Sequence, residues 1–173
     1  MIPLQERDRY IIPLTYLKAM LEERINSQEV KDFEIAKEAI ERVFNGAKIK
    51  VEKEPEYSHT DLRFTATTSN GERYYNVELK ERNRGSEEYD EVPLKLSKYI
   101  DIINSTRDDE NAFIFYIMPT EIWIFNLSKL DLNKVRLVNW EIKSVQYAEN
   151  SRIIRTPTMF IPLRMACWNT IRK

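Results

Sequence analysis

Asp61, Glu78 and Lys80 are the side chains of this sequence whose types and spacing could do chemistry together. The segments that carry them, residues 60–67 and 73–80, each alternate polar with apolar residues, the period of a half-buried strand. Asn70-Gly71 between them is a strong hairpin signal, because both residue types tolerate the positive φ of a tight turn. A symmetric turn centred there sets Asp61 opposite Lys80 and Arg63 opposite Glu78. Asp61 is then diagonal to Glu78, and all three side chains share one face. Two carboxylates and an ammonium group on one face suit a divalent cation. Mg²⁺ takes oxygen ligands, commonly one or two carboxylates, with waters and phosphate oxygens completing the octahedron. Such an ion polarises a phosphodiester and makes a bound water more acidic. A neighbouring lysine orients that water or balances charge growing on the phosphate. From spacing alone, a plain surface hairpin whose charges pair in water is the commoner outcome.

The elements that must position these groups are legible in part. Leu14, Leu17, Leu21 and Ile25 predict a helix over 14–25, and Phe33, Ala36, Lys37, Ile40 and Phe44 a second over 30–44, stopped by Asn45-Gly46. A strand is expected over 48–52. After the hairpin comes a helix over 93–104 with Pro93 in its first turn. Two apolar strands follow over 112–118 and 121–126, then strands over 140–146 and 158–163 and a short terminal helix. The expected fold is α/β, a central mixed sheet flanked by helices.

The 173 residues suit a single domain, 1–173, and 42% hydrophobic with 32% charged residues describes a globular chain. No run is apolar enough to cross a bilayer, so no membrane partner is expected. The start Met1-Ile2-Pro3-Leu4-Gln5 shows no signal peptide. One cysteine, Cys167, and one histidine, His59, exclude an internal disulfide and a Cys- or His-rich metal site. A reducing, cytoplasmic setting is the default. The net charge of −1 does not announce a nucleic-acid binder, although phosphate binding needs only a local basic patch. Candidate patches are Lys80, Arg82 and Arg84; Lys95 and Lys98; and Arg152, Arg155 and Arg164.

Asp61, the hairpin and Val77-Glu78-Leu79-Lys80 together resemble the PD-(D/E)XK signature of restriction-endonuclease-like nucleases, with Thr60 in place of the usual proline. The resemblance covers about residues 30–126, in the order αβββαβ, and leaves an extra N-terminal helix and a β-rich C-terminal extension outside that core. It implies hydrolysis of phosphodiester bonds in DNA, RNA being left open, with Mg²⁺ or Mn²⁺ as cofactor. Asp61, Glu78 and the Leu79 carbonyl would be metal ligands and Lys80 the catalytic lysine. Phe33-Glu34 is similar to the helix start of archaeal Holliday-junction resolvases, which makes Glu34, rather than Glu38, a fourth catalytic and metal-binding residue. Lys95-Leu96-Ser97-Lys98-Tyr99 is similar to the Gln-x-x-x-Tyr helix of RecB-type nucleases, with lysine replacing glutamine. It adds Lys95, Lys98 and Tyr99 to Arg82 and Arg84 as nucleic-acid contacts. A homodimer would suit a cut in two strands. The alternatives are a non-catalytic nucleic-acid-binding member acting in a larger complex and a protein-interaction module.

Other residues have weaker claims. His59 is more often plain surface, and Trp123 more often core. Trp140 and Trp168 could stack on bases. Tyr74 shares the proposed face, and the acidic loop 84–91 has no functional account.

Overall fold

The two N-terminal helices expected from periodicity are one helix, α1 (Leu14–Val43), in the computed structural model, which describes residues 14–143 and 153–171. The polar stretch Asn26-Ser27-Gln28-Glu29 interrupts the apolar pattern, but it contains neither proline nor glycine, and its helix propensities cost only tenths of a kcal/mol per residue. The helix ends before Asn45-Gly46 as expected, with Gly46 at φ +93°.

Five strands then match their sequence signals closely: β1 (Lys48–Lys53), β2 (Leu62–Thr68), β3 (Gly71–Glu81), and later β5 (Glu110–Ile117) and β6 (Glu121–Asn126). The hairpin register differs from the symmetric turn. Thr68 pairs with Gly71 and Arg63 with Asn76, so Ser69-Asn70 form the turn and Gly71, at φ +113°, opens the return strand. The slip is two residues, an even number, so every side chain keeps its face. Nothing lies within 4 Å of a Cβ added at Gly71. Gly71→Ala is therefore expected to cost about 1–2 kcal/mol from backbone strain alone, read as a lower urea midpoint with unchanged m.

Pro93 does not start a helix. It lies in β4 (Glu91–Lys95), and helix α2 (Leu96–Ser105) begins three residues later than expected. β4 is the outer strand of a small antiparallel sheet in the order β4-β8-β7, with β7 (Arg136–Lys143) and β8 (Ile153–Pro162). An outer strand tolerates proline because one of its edges needs no N–H donor. Of the strand expected over 140–146, residues 144–146 lie outside the described residues. The expected terminal helix is instead a single 3₁₀ turn, Leu163–Met165, followed by strand β9 (Trp168–Ile171).

The central sheet has the order β1-β2-β3-β5-β6-β9. Only β3 and β5 are parallel; the other neighbours are antiparallel. A parallel pair needs a long crossover, and the chain supplies it through β4 and α2. α1 covers one face of the sheet, where Ala36 and Ile40 pack on Leu62, Phe64, Val77 and Phe115. On the other face Val92, Ile102 and Ile161 pack against Ile114, Tyr116 and Phe125. The architecture is thus α/β, with a mixed central sheet and two helices among the described residues. No described helix is long and apolar enough to cross a membrane.

Candidate active site at the carboxyl end of strand β3

Alternation along β3 sends Val77 and Leu79 toward α1 and Asn76, Glu78 and Lys80 toward α2. Glu78 is 1% exposed, a charge-bearing group in the wall of the second core. Lys80, two residues on along the same face, donates to Glu78 Oε1. The second carboxylate oxygen meets α2: Lys98 Nζ stands 2.9 Å from Oε2. That approach has ion-pair distance without hydrogen-bond angles, and Oε2 is buried with no hydrogen-bond partner. Burial pushes the Glu78 carboxyl above its ordinary value, against the pull of Lys80; the charge of Asp61 raises it further, and the Lys80 hydrogen bond and the nearby Lys98 ammonium oppose this.

Asp61 occupies the point where β2 leaves the ladder. The strand pairing ends at Leu62–Val77, and the Asp61 side chain supplies the next acceptor: Leu79 N–H donates to Oδ2 at 2.6 Å. The Asp61 main chain is tied on both sides, its N–H to Val77 O (3.0 Å) and its carbonyl to Glu54 N–H (3.0 Å). The carboxylate is therefore fixed beside Glu78 by the backbone of the strand that carries Glu78. Its Oδ1 makes no hydrogen bond among the described residues.

Asp61 and Leu79 also line a cavity of about 650 Å³ between α1 and the end of β3. Its lining carries four carboxylates, Glu29, Asp32, Glu56 and Asp61, against one lysine, Lys53, which pairs with Glu29 at 3.2 Å. Such a wall attracts cations and repels a bare phosphate. The carboxylates ring the space without converging: among the described residues no three His, Cys, Asp or Glu side chains form a group able to hold a metal ion. The donors that fit a metal are instead Asp61, Glu78 and a strand carbonyl. The observation in favour is that Glu78 Oε2, though ion-paired with Lys98, has no hydrogen-bond partner, and one or two carboxylates suffice for Mg²⁺.

Glu34 is exposed on α1 and does not line this cavity, whereas Asp32 and Glu29 do. Helical spacing carries the signal: 29, 32 and 33 extend the stripe of Phe33, Ala36 and Ile40, and 34 falls off it. Gln28 donates to Asp32 (3.0 Å) and to Glu81 (3.1 Å), tying this part of α1 to the end of β3.

The basic candidates divide. Lys98 reaches Glu78. Arg82 is spent on structure, donating to the carbonyls of Glu81 (3.1 Å) and Pro93 (3.3 Å) and lying over the Tyr116 ring. Arg84 pairs with Glu88 at 2.9 Å on the surface, and Lys95 is exposed at the start of α2. Tyr99 packs on the second core and is held above its ordinary pKa by burial. Tyr74 turns away from the site, donating to Glu72 at 3.0 Å. His59 is exposed, Trp123 packs in the second core, and Trp140 leans on Phe160. Arg155 pairs with Glu141 at 3.0 Å; Arg152 lies outside the described residues. No protein-family model, curated protein or solved structure matches the chain.

Proposed function

We propose that this protein is a Mg²⁺-dependent nuclease of the PD-(D/E)XK type that hydrolyses phosphodiester bonds in DNA. One observation carries the reading: the Asp61 carboxylate, which lines the acid-lined cavity on the α1 side, is locked by Leu79 N–H to the strand whose other face carries the buried Glu78–Lys80 pair. The order α1, β1, β2, β3, α2, β5 supports a restriction-endonuclease-like core, with β4 inserted before α2.

Asp61, Glu78 and the Leu79 carbonyl would hold the ion. Bound there, Mg²⁺ supplies a more acidic water and an electrophile for the phosphate. Asp32 and Glu29 add negative potential on the helix side, which favours loading a cation before an anionic strand arrives. Lys80 orients the attacking water or meets charge on the phosphate, its stem placed by strand alternation and its ammonium by Glu78. Lys95, exposed at the head of α2, would contact the strand backbone.

The test is cleavage of mixed DNA substrates with Mg²⁺ or Mn²⁺. Native protein should cut only with metal, and Lys80→Ala should cut about 10²-fold more slowly. Cutting that survives the substitution would be a contaminant's and would remove the proposal. The helix acids give a second prediction. Asp32→Asn should raise the Mg²⁺ concentration for half-maximal cutting about threefold through lost potential, while Glu34→Gln should leave it unchanged.

The rival is a non-catalytic member of the same fold that binds nucleic acid. Its specific support is the ammonium group facing each Glu78 oxygen, an arrangement that neutralises the carboxylate without any metal. Salt-dependent DNA binding without cutting would favour it.

A further inference from the structure

We infer that Lys98 is a placeholder cation, seated on the Glu78 oxygen that a metal ion takes and displaced when the ion binds. The inference rests on the metal-dependent reading above and concerns how that site is kept before loading.

Two lysines, Lys80 and Lys98, stand at Glu78. Both face one buried carboxylate, but they hold it differently. Lys80 is in the same strand, two residues away, and makes a hydrogen bond to Oε1. Lys98 comes from α2, across the second core, and reaches 2.9 Å from Oε2 without hydrogen-bond angles. Its contact is the less directional one, and its side chain, part-exposed like that of Lys80, regains hydration when it swings out.

A divalent ion on Oε2 and an ammonium group 2.9 Å from the same oxygen would repel each other strongly in a buried site. That repulsion favours release of one lysine when the ion loads, and Lys98, which makes no directional hydrogen bond to Glu78, is the one released. Before loading, Lys80 compensates one oxygen of this buried carboxylate and the Lys98 charge compensates the other. Once displaced, the Lys98 ammonium lies beside the site with its charge free for an anionic strand.

A placeholder competes with the metal, so removing it must tighten metal binding. A lysine that merely supports the site would do the opposite. The readout is Mn²⁺ affinity without nucleic acid, by electron paramagnetic resonance and calorimetry at pH 8, for the native chain, Lys98→Met, Lys98→Gln and Asp61→Asn. Lys98→Met keeps the stem and should bind Mn²⁺ about tenfold more tightly than native. Lys98→Gln should shift the same way and serves if the Met variant folds poorly. Unchanged or weaker affinity in the Lys98 variants, with native binding that Asp61→Asn abolishes, overturns the placeholder and leaves the metal site standing. No Mn²⁺ binding by native and Lys98 variants, or binding indifferent to Asp61→Asn, overturns the metal reading and the placeholder with it.

Discussion

Asp61→Asn should abolish metal-dependent cleavage, by about 10²–10³-fold, while leaving the protein folded. The size follows from the several kcal/mol that a metal ion contributes to stabilising charge in a phosphoryl-transfer transition state, at 1.36 kcal/mol per tenfold. Retention of the fold follows from the role Asp61 plays at the end of β2. Leu79 N–H needs an acceptor there, and an asparagine carbonyl oxygen supplies one in the same position. What the substitution removes is the charge. Thermal unfolding should therefore be nearly unchanged without metal, and Mg²⁺ should raise the unfolding temperature of the native protein but not of the variant. A variant that loses cutting and also unfolds early would mean that Asp61 acts mainly as the strand-end acceptor. A stable variant that still cuts with Mg²⁺ would remove Asp61 from the metal site.

The second large effect concerns the lysine–glutamate–lysine group. Lys80→Met combined with Lys98→Met should destabilise the fold by about 3 kcal/mol near neutral pH. This is the lower end of what breaking a buried ion pair costs, because both lysines are partly in water. Methionine keeps the apolar stems in place, so the loss is the cost of an uncompensated carboxylate. Adding Glu78→Gln should restore most of it, since a neutral amide is far cheaper to bury. A triple variant as unstable as the double would show that lysine packing, not the buried charge, was responsible.

The pH dependence has a definite sign. The Glu78 carboxyl is raised above 4.5 by burial. A raised carboxyl binds its proton more tightly folded than unfolded. Its contribution to stability is thus complete below 4.5 and lost as pH rises through the folded value. The double lysine variant raises the carboxyl further. Its deficit relative to native should be larger at pH 8 than at pH 5, measured by urea unfolding at both.

The parts of the site that were legible in the sequence share one property: they depend on neighbours along the chain. Strand alternation put Glu78 and Lys80 on one face. The hairpin brought Asp61 to the same end of β3 despite a two-residue error in the turn, because an even slip preserves facing. The Asn45-Gly46 stop and the strands β1, β2, β3, β5 and β6 were readable for the same reason, since a period of two or a positive-φ turn is written locally. Pro93 and the interrupted stripe near Asn26 misled because proline and polar residues each fit two contexts, an outer strand or a helix start, a helix surface or a loop.

Other features were settled only by packing across long sequence separations. Which acids of α1 line the cavity depends on how the helix rotates to bury Phe33, Ala36 and Ile40 against the sheet, and that rotation selects Asp32 and Glu29 over Glu34. The contact of Lys98 with Glu78 requires the parallel pairing of β3 with β5, which obliges the intervening chain to cross over and lay α2 beside Glu78. The same crossover spends Arg82 on Pro93 and Tyr116. By itself, the sequence determined which groups could do chemistry and which face they share, because local periodicity controls side-chain direction. The tertiary structure alone decided which charges meet, because that depends on which apolar faces find each other.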